Sequence, residues 1–115
     1  MTPTAPTSQC FSGFEFESDF QRCLFVGEDI PRDLELTPTE YHIFLALAKA
    51  GGRPLTREEI VRGLWTANGM NIEKRDIDSQ VAHLRIKLAT YPCEIVSIYG
   101  KGYAFIGGDA AKHSA

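Results

Sequence analysis

The four-residue stretches Thr37-Pro38-Thr39-Glu40 and Thr56-Arg57-Glu58-Glu59 constrain this chain more than anything else in it. Each places a threonine three residues before a glutamate. At that spacing the two side chains reciprocally satisfy the free N–H groups that open a helix. Pro38 fits the first helical position, where its missing N–H would have no partner anyway. Two helices are therefore expected to start here. Tyr41, Phe44, Leu45 and Ala48 follow the first start at helical spacing, and Gly51-Gly52 closes it. Ile60, Val61, Leu64 and Trp65 form the apolar side of the second. Residues 66–74, which contain Asn68-Gly69, read as an exposed loop.

A third helix is expected from Arg75 to Ala89. With Ile77 at zero and about 100° per residue, Val81, Leu84 and Leu88 all fall within about 40° of it, a narrow buried stripe. Arg75, Ser79, Ala82, His83 and Ile86 lie on the opposite side. Asp76 and Asp78 suit the positive end of this helix as capping residues. Pro92 ends the segment, and residues 95–106 alternate around Gly100 and Gly102 as a hairpin does. Upstream, residues 14–17 (FEFE), 22–26 and 33–36 read as three short strands of an antiparallel sheet. Residues 1–9 and 107–115 lack apolar periodicity and read as flexible tails, leaving 10–106 as the folded domain. The expected fold is α+β: an N-terminal antiparallel sheet, three helices in helix-turn-helix order, and a C-terminal β-hairpin wing.

The 115 residues suit one domain. No apolar run approaches the ~18 residues of a membrane helix. The opening residues MTPTAPTSQC have neither the basic start nor the apolar core of a secretory leader. Cys10, Cys23 and Cys93 are odd in number and widely spaced, which suits free thiols in a reducing cytoplasm. His42, His83 and His113 show no metal-ligand spacing, so no metal or other cofactor is expected. No nucleophile, base and orienting group converge, so an enzyme with a small-molecule substrate is not expected. The net charge is -3, but residues 1–40 carry eight acids against two bases and residues 41–115 carry seven acids against ten bases. A basic face is thus compatible with an acidic protein. Gly100-Lys101-Gly102 invites a phosphate-loop reading. A dinucleotide fingerprint would need a further glycine where Phe105 stands, and a helix after it. The two glycines instead suit a hairpin turn with Lys101 at its tip.

Three segments together resemble a known family. LTPTEYHIFLALAKAGGRPLTREEIVRGLW, RDIDSQVAHLRIKL and IVSIYGKGYAF are similar to the first two helices, the recognition helix and the wing of OmpR/PhoB-type winged-helix output domains of bacterial two-component response regulators. The likeness spans about residues 13–106 and does not include a receiver domain, which reads as a stand-alone winged helix. It implies sequence-specific binding to double-stranded DNA for transcription regulation, with the helix of about 75–89 in the major groove and the wing of 97–103 at the minor groove. It also implies contact with RNA polymerase through loop 66–74, and a homodimer on repeated half-sites. Carried over by position, Trp65 and Arg75 match backbone-contacting residues. Ser79, Gln80, Ala82 and His83 match the groove-facing stretch, and Arg85 an arginine near the backbone. Ser97, Tyr99 and Lys101 match the wing, and Tyr103 the tyrosine after it. With Lys87 added, the expectation is that Arg75, Gln80, Arg85 and Lys87 anchor the helix, Ser79 and His83 read base edges, and Lys101 reaches the minor groove or its phosphates.

The chain departs from the family at the arginines. Ala82, His83 and Tyr99 stand where kin often carry arginine, and Ile86 where a basic residue is common. Each missing arginine removes a bidentate contact. Ile86 suits either a thymine methyl or a protein surface. The alternative expectation is therefore a winged-helix protein-interaction module that binds RNA polymerase or another regulator through Ile86, Tyr99 and loop 66–74, with weak or no DNA binding.

Overall fold

The computed structural model describes residues 8–107. The first four strands, β1 (Ser8–Phe11), β2 (Phe14–Glu17), β3 (Arg22–Phe25) and β4 (Arg32–Asp33), make one antiparallel sheet in sequential order. Then come α1 (Pro38–Lys49), α2 (Arg57–Asn68) and α3 (Lys74–Leu88), and finally the hairpin β5 (Cys93–Ile98) and β6 (Gly102–Gly107).

Both capping boxes form. Thr37 accepts from the Glu40 N–H at 3.2 Å while the Thr37 N–H donates to Glu40 Oε1 at 3.0 Å. Thr56 and Glu59 repeat the exchange at 3.0 and 2.8 Å. The stripe of Ile77, Val81, Leu84 and Leu88 is buried as its spacing requires. Phe14 joins the layers. Its ring meets Phe25 of the sheet at 5.1 Å, Phe44 of α1 at 5.2 Å and Phe105 of the wing at 6.1 Å, all tilted or edge-on.

Four boundaries differ from the sequence-based expectation. β1 begins at Ser8, inside the stretch read as a tail, while residues 1–7 of that stretch lie outside the described residues. It pairs with β2 through Ser12-Gly13, both at positive φ (52° and 87°), the geometry of a tight hairpin turn. At the other end Gly107 belongs to β6, and 108–115 lie outside the described residues. The expected strand 33–36 stops at Asp33, because Glu35 has a φ of 56° and turns the chain out of the ladder. The expected loop 66–74 shortens to 69–73, because Asn68-Gly69 is a helix end and not a loop centre. Gly69 has a φ of 65°, its N–H donates to Trp65 O at 2.9 Å, and the Met70 N–H donates to Leu64 O at 3.2 Å. Met70 and Ile72 then pack against the core.

Candidate nucleic-acid interface

The helix that follows the α2–α3 turn shows solvent one stripe. Arg75, Ser79, Ala82, His83 and Ile86 are exposed along it, Ile86 by 74%. Gln80, at its edge, is half-buried. Trp65, on the last turn of α2, is 60% exposed.

The wing is fastened to the helical core in two ways. The Leu55 N–H donates to Tyr103 O at 2.8 Å and the Tyr103 N–H donates to Leu55 O at 2.9 Å, so the approach to α2 acts as a short third strand. Gly102 permits that crossing. Its φ is 108°, and a Cβ there would sit 1.9 Å from Leu55 O. The Lys101 N–H closes the tip onto Ile98 O at 2.9 Å, with Gly100 at a φ of 74°. Tyr99 and Lys101 are left exposed at this tip.

Side chains add a second fastening. Asp78 of α3 accepts from Arg57 Nε of α2 at 2.8 Å and from the Tyr103 hydroxyl. Arg85 donates to Ile95 O and to Ser97 Oγ of β5, both at 2.9 Å. The Tyr103 ring lies beside both guanidiniums, 5.3 Å from that of Arg57 and 5.6 Å from that of Arg85. The Tyr103 hydrogen bond, then that of Arg57, holds the Asp78 carboxyl below its ordinary range. Burial, with the Asp78 bond, pushes the Tyr103 phenol up. Asp78 is therefore a brace between helix and wing. It caps nothing: Glu73 stands at the cap position of α3, with no side-chain cap bond.

The same geometry accounts for most of the cations. Lys87 does not reach the outer stripe. Its ammonium donates to Glu40 Oε1 at 2.7 Å and to Glu35 O at 2.8 Å, tying α3 to α1. Glu40 is the one charged side chain buried among the described residues. Burial pushes its carboxyl up, but the Lys87 hydrogen bond, the Thr37 N–H and the charges of Lys87 and His83 outweigh it and hold the carboxyl below its ordinary range. His83 Nδ1 lies 3.8 Å from Glu40 Oε2. Lys74 pairs with Glu58 at 2.8 Å and Arg75 with Glu73 at 2.7 Å, both in the open. Lys101 has no ion-pair partner among the described residues.

The structure thus brings Arg75, Ser79, Ala82, His83 and Ile86 onto one face, with Tyr99 and Lys101 on a braced hairpin beside it. It uses Arg85, Ser97 and Tyr103 to hold that hairpin, and it turns Lys87 inward. Sequence reasoning did not single out Arg57 or Glu40 as parts of this arrangement. Their partners lie 21 and 47 residues away, beyond any spacing rule.

A three-helix core with an exposed third-helix face and a braced C-terminal hairpin defines a winged helix-turn-helix domain of the DNA-binding class. Residues 31–105 match the family described as "Transcriptional regulatory protein, C terminal", and the chain belongs to that family. The chain is 29% identical over 99 residues to the transcriptional regulatory protein SrrA of Staphylococcus aureus, covering 83% of this chain and 39% of SrrA. It therefore spans about two fifths of the length of that relative. Among solved structures, the fold is similar to the DNA-binding domain of AdeR, solved with an intercistronic region (TM-score 0.67, 24% identity, 86% of this chain and 98% of that one). It is also similar to the DNA-binding domain of CpxR from E. coli (TM-score 0.65, 24% identity, 90% and 99%). That of Klebsiella pneumoniae RstA, solved with the RstA box, aligns at a TM-score of 0.64 with 19% identity, over 86% and 96% of the two chains. The family and fold are those of transcription factors and not of enzymes. No helix among the described residues is long and apolar enough to cross a membrane.

Proposed function

We propose that this chain binds double-stranded DNA in a sequence-specific manner as the output domain of a transcriptional regulator. α3 enters the major groove and the wing meets the adjacent minor groove. The observation that carries this reading is the pairing of an exposed α3 face with a hairpin locked to the same helix by Asp78, Arg85 and Tyr103. A helix and a wing fixed at one angle can straddle a phosphate ridge without ordering cost on binding.

In this reading Arg75, Ser79, Gln80, Ala82, His83 and Ile86 face the groove. Trp65 donates to the backbone through its indole N–H, and Tyr99 and Lys101 touch the second groove. Arg85, Ser97 and Tyr103 hold the wing in place, and Lys87 anchors α3 to α1. Loop 69–73 is the surface offered to RNA polymerase, two copies sit on repeated half-sites, and the protein works on the nucleoid in the cytoplasm. The family membership favours this over a purely protein-binding module. Selection from a random duplex library, followed by dimethyl sulfate footprinting, tests it. The expected result is an enriched motif with protected guanine N7 atoms in its major groove. A library that stays random after several rounds contradicts the proposal.

A further inference from the structure

Cations on the α3 side are largely engaged within the protein. Lys74, Arg75 and Lys87 pair with Glu58, Glu73 and Glu40, and Arg85 is bound to the wing. What the outward stripe shows beyond Ser79 and the Glu73-paired Arg75 is a methyl group at Ala82, an imidazole at His83 and a branched alkyl chain at Ile86. Ile86 touches too little of its own fold to be there for packing, at 74% exposure. A β-branched residue at an exposed helical position is also mildly unfavourable to the helix.

The floor of the major groove presents hydrogen-bond donors and acceptors at every base pair, but one apolar group only, the 5-methyl of thymine. We infer that Ala82 and Ile86 read thymine methyl groups, so that this domain specifies T-bearing positions by apolar contact where charged side chains would otherwise read guanine. The inference rests on the DNA-binding reading above and names what that face selects. Residues four apart on a helix rise by about 6 Å along its axis, while successive base pairs rise by ~3.4 Å. The two methyl contacts therefore fall about two base steps apart in each half-site. Few free cations also mean a shallow salt dependence.

The test replaces thymine by deoxyuridine, which deletes the methyl and leaves every hydrogen-bonding group in place. The duplex is the one enriched by selection with the full chain, and the readout is fluorescence anisotropy. At the two positions concerned, each substitution is expected to weaken binding about three- to fivefold, the worth of one buried methyl, and to do nothing elsewhere in the site. Ile86→Ala, a change at an exposed position that favours the helix, is expected to abolish the discrimination at one of the two positions and leave it at the other. Equal binding of thymine and uracil duplexes at every position overturns the inference while leaving the DNA-binding reading intact. Discrimination that survives unchanged in both Ile86→Ala and Ala82→Gly also overturns it. Failure to enrich any duplex removes the reading beneath it.

Discussion

Substitution of Gly102 by alanine isolates the contact on which the position of the wing depends. The glycine has a φ of 108°, where an L side chain is strained. That strain costs about 1–2 kcal/mol. The added Cβ would meet Leu55 O at 1.9 Å, Leu55 C at 2.7 Å and Thr56 Cα at 2.8 Å, all backbone atoms that cannot swing aside. Relieving the overlap separates the strands and breaks the two hydrogen bonds between Leu55 and Tyr103. Each of these is worth ~0.5–1.5 kcal/mol net. Together the loss is about 2–5 kcal/mol, a large share of the ~5–15 kcal/mol that holds a typical domain. Gly100→Ala is the control, because its φ is 74° and nothing lies within 4 Å of its Cβ position. It bears the conformational cost alone, about 1 kcal/mol after the stiffer unfolded chain is counted. In urea unfolding the two variants should therefore separate by at least about 1 kcal/mol, the worth of the two hydrogen bonds. In calorimetry Gly102→Ala should melt ~10–30 °C below the parent and Gly100→Ala only ~5 °C below. Equal losses would refute the argument, for they would mean that the backbone angle matters and the approach to Leu55 does not.

Four further outcomes follow from the same geometry. Lys87→Met strands the buried Glu40 carboxylate and should cost about 2 kcal/mol, less than a fully buried pair because Lys87 is partly exposed. The parent should lose stability in acid, because Glu40 titrates below its ordinary range when folded. Its contribution is full above the unfolded carboxyl value of ~4.3 and disappears as pH falls through the lower folded value. Melting followed from pH 7 to 3 should show a steeper acid limb in the parent than in Glu40→Gln. Asp78→Asn should leave global stability nearly unchanged, since Asp78 and its ion-pair partner Arg57 are both exposed, but amides of residues 98–103 should exchange faster while those of α1 do not. Lys101→Ala should lower the salt slope of DNA binding by about 1. An unchanged slope would take the wing tip away from phosphate.

Legibility in the sequence tracked the range of the interaction. The starts of α1 and α2 were readable because a capping box is complete within four residues, and the α3 stripe because its period repeats within the helix. β1 went unread because Ser8–Phe11 has no alternation of its own, and its partner lies across a Ser12-Gly13 turn whose hairpin geometry only pairing reveals. Glu35 reads as one more alternating residue until its positive φ is seen. At the interface, exposure of Ala82, His83 and Ile86 followed from helical phase. The fate of Lys87 and of Asp78 did not, because Glu40, Arg57 and Tyr103 come from other elements. A lysine on a recognition helix looks the same in sequence whether it faces phosphate or a buried carboxylate.

The most direct measurement is the ratio of affinities for a selected duplex and for its scrambled counterpart, in one titration series at ~0.1 M salt. Site-specific DNA binding predicts a ratio of ~10³ or more, reduced towards unity by Gly102→Ala at a temperature where that variant remains folded. Equal affinity for the two duplexes would contradict it.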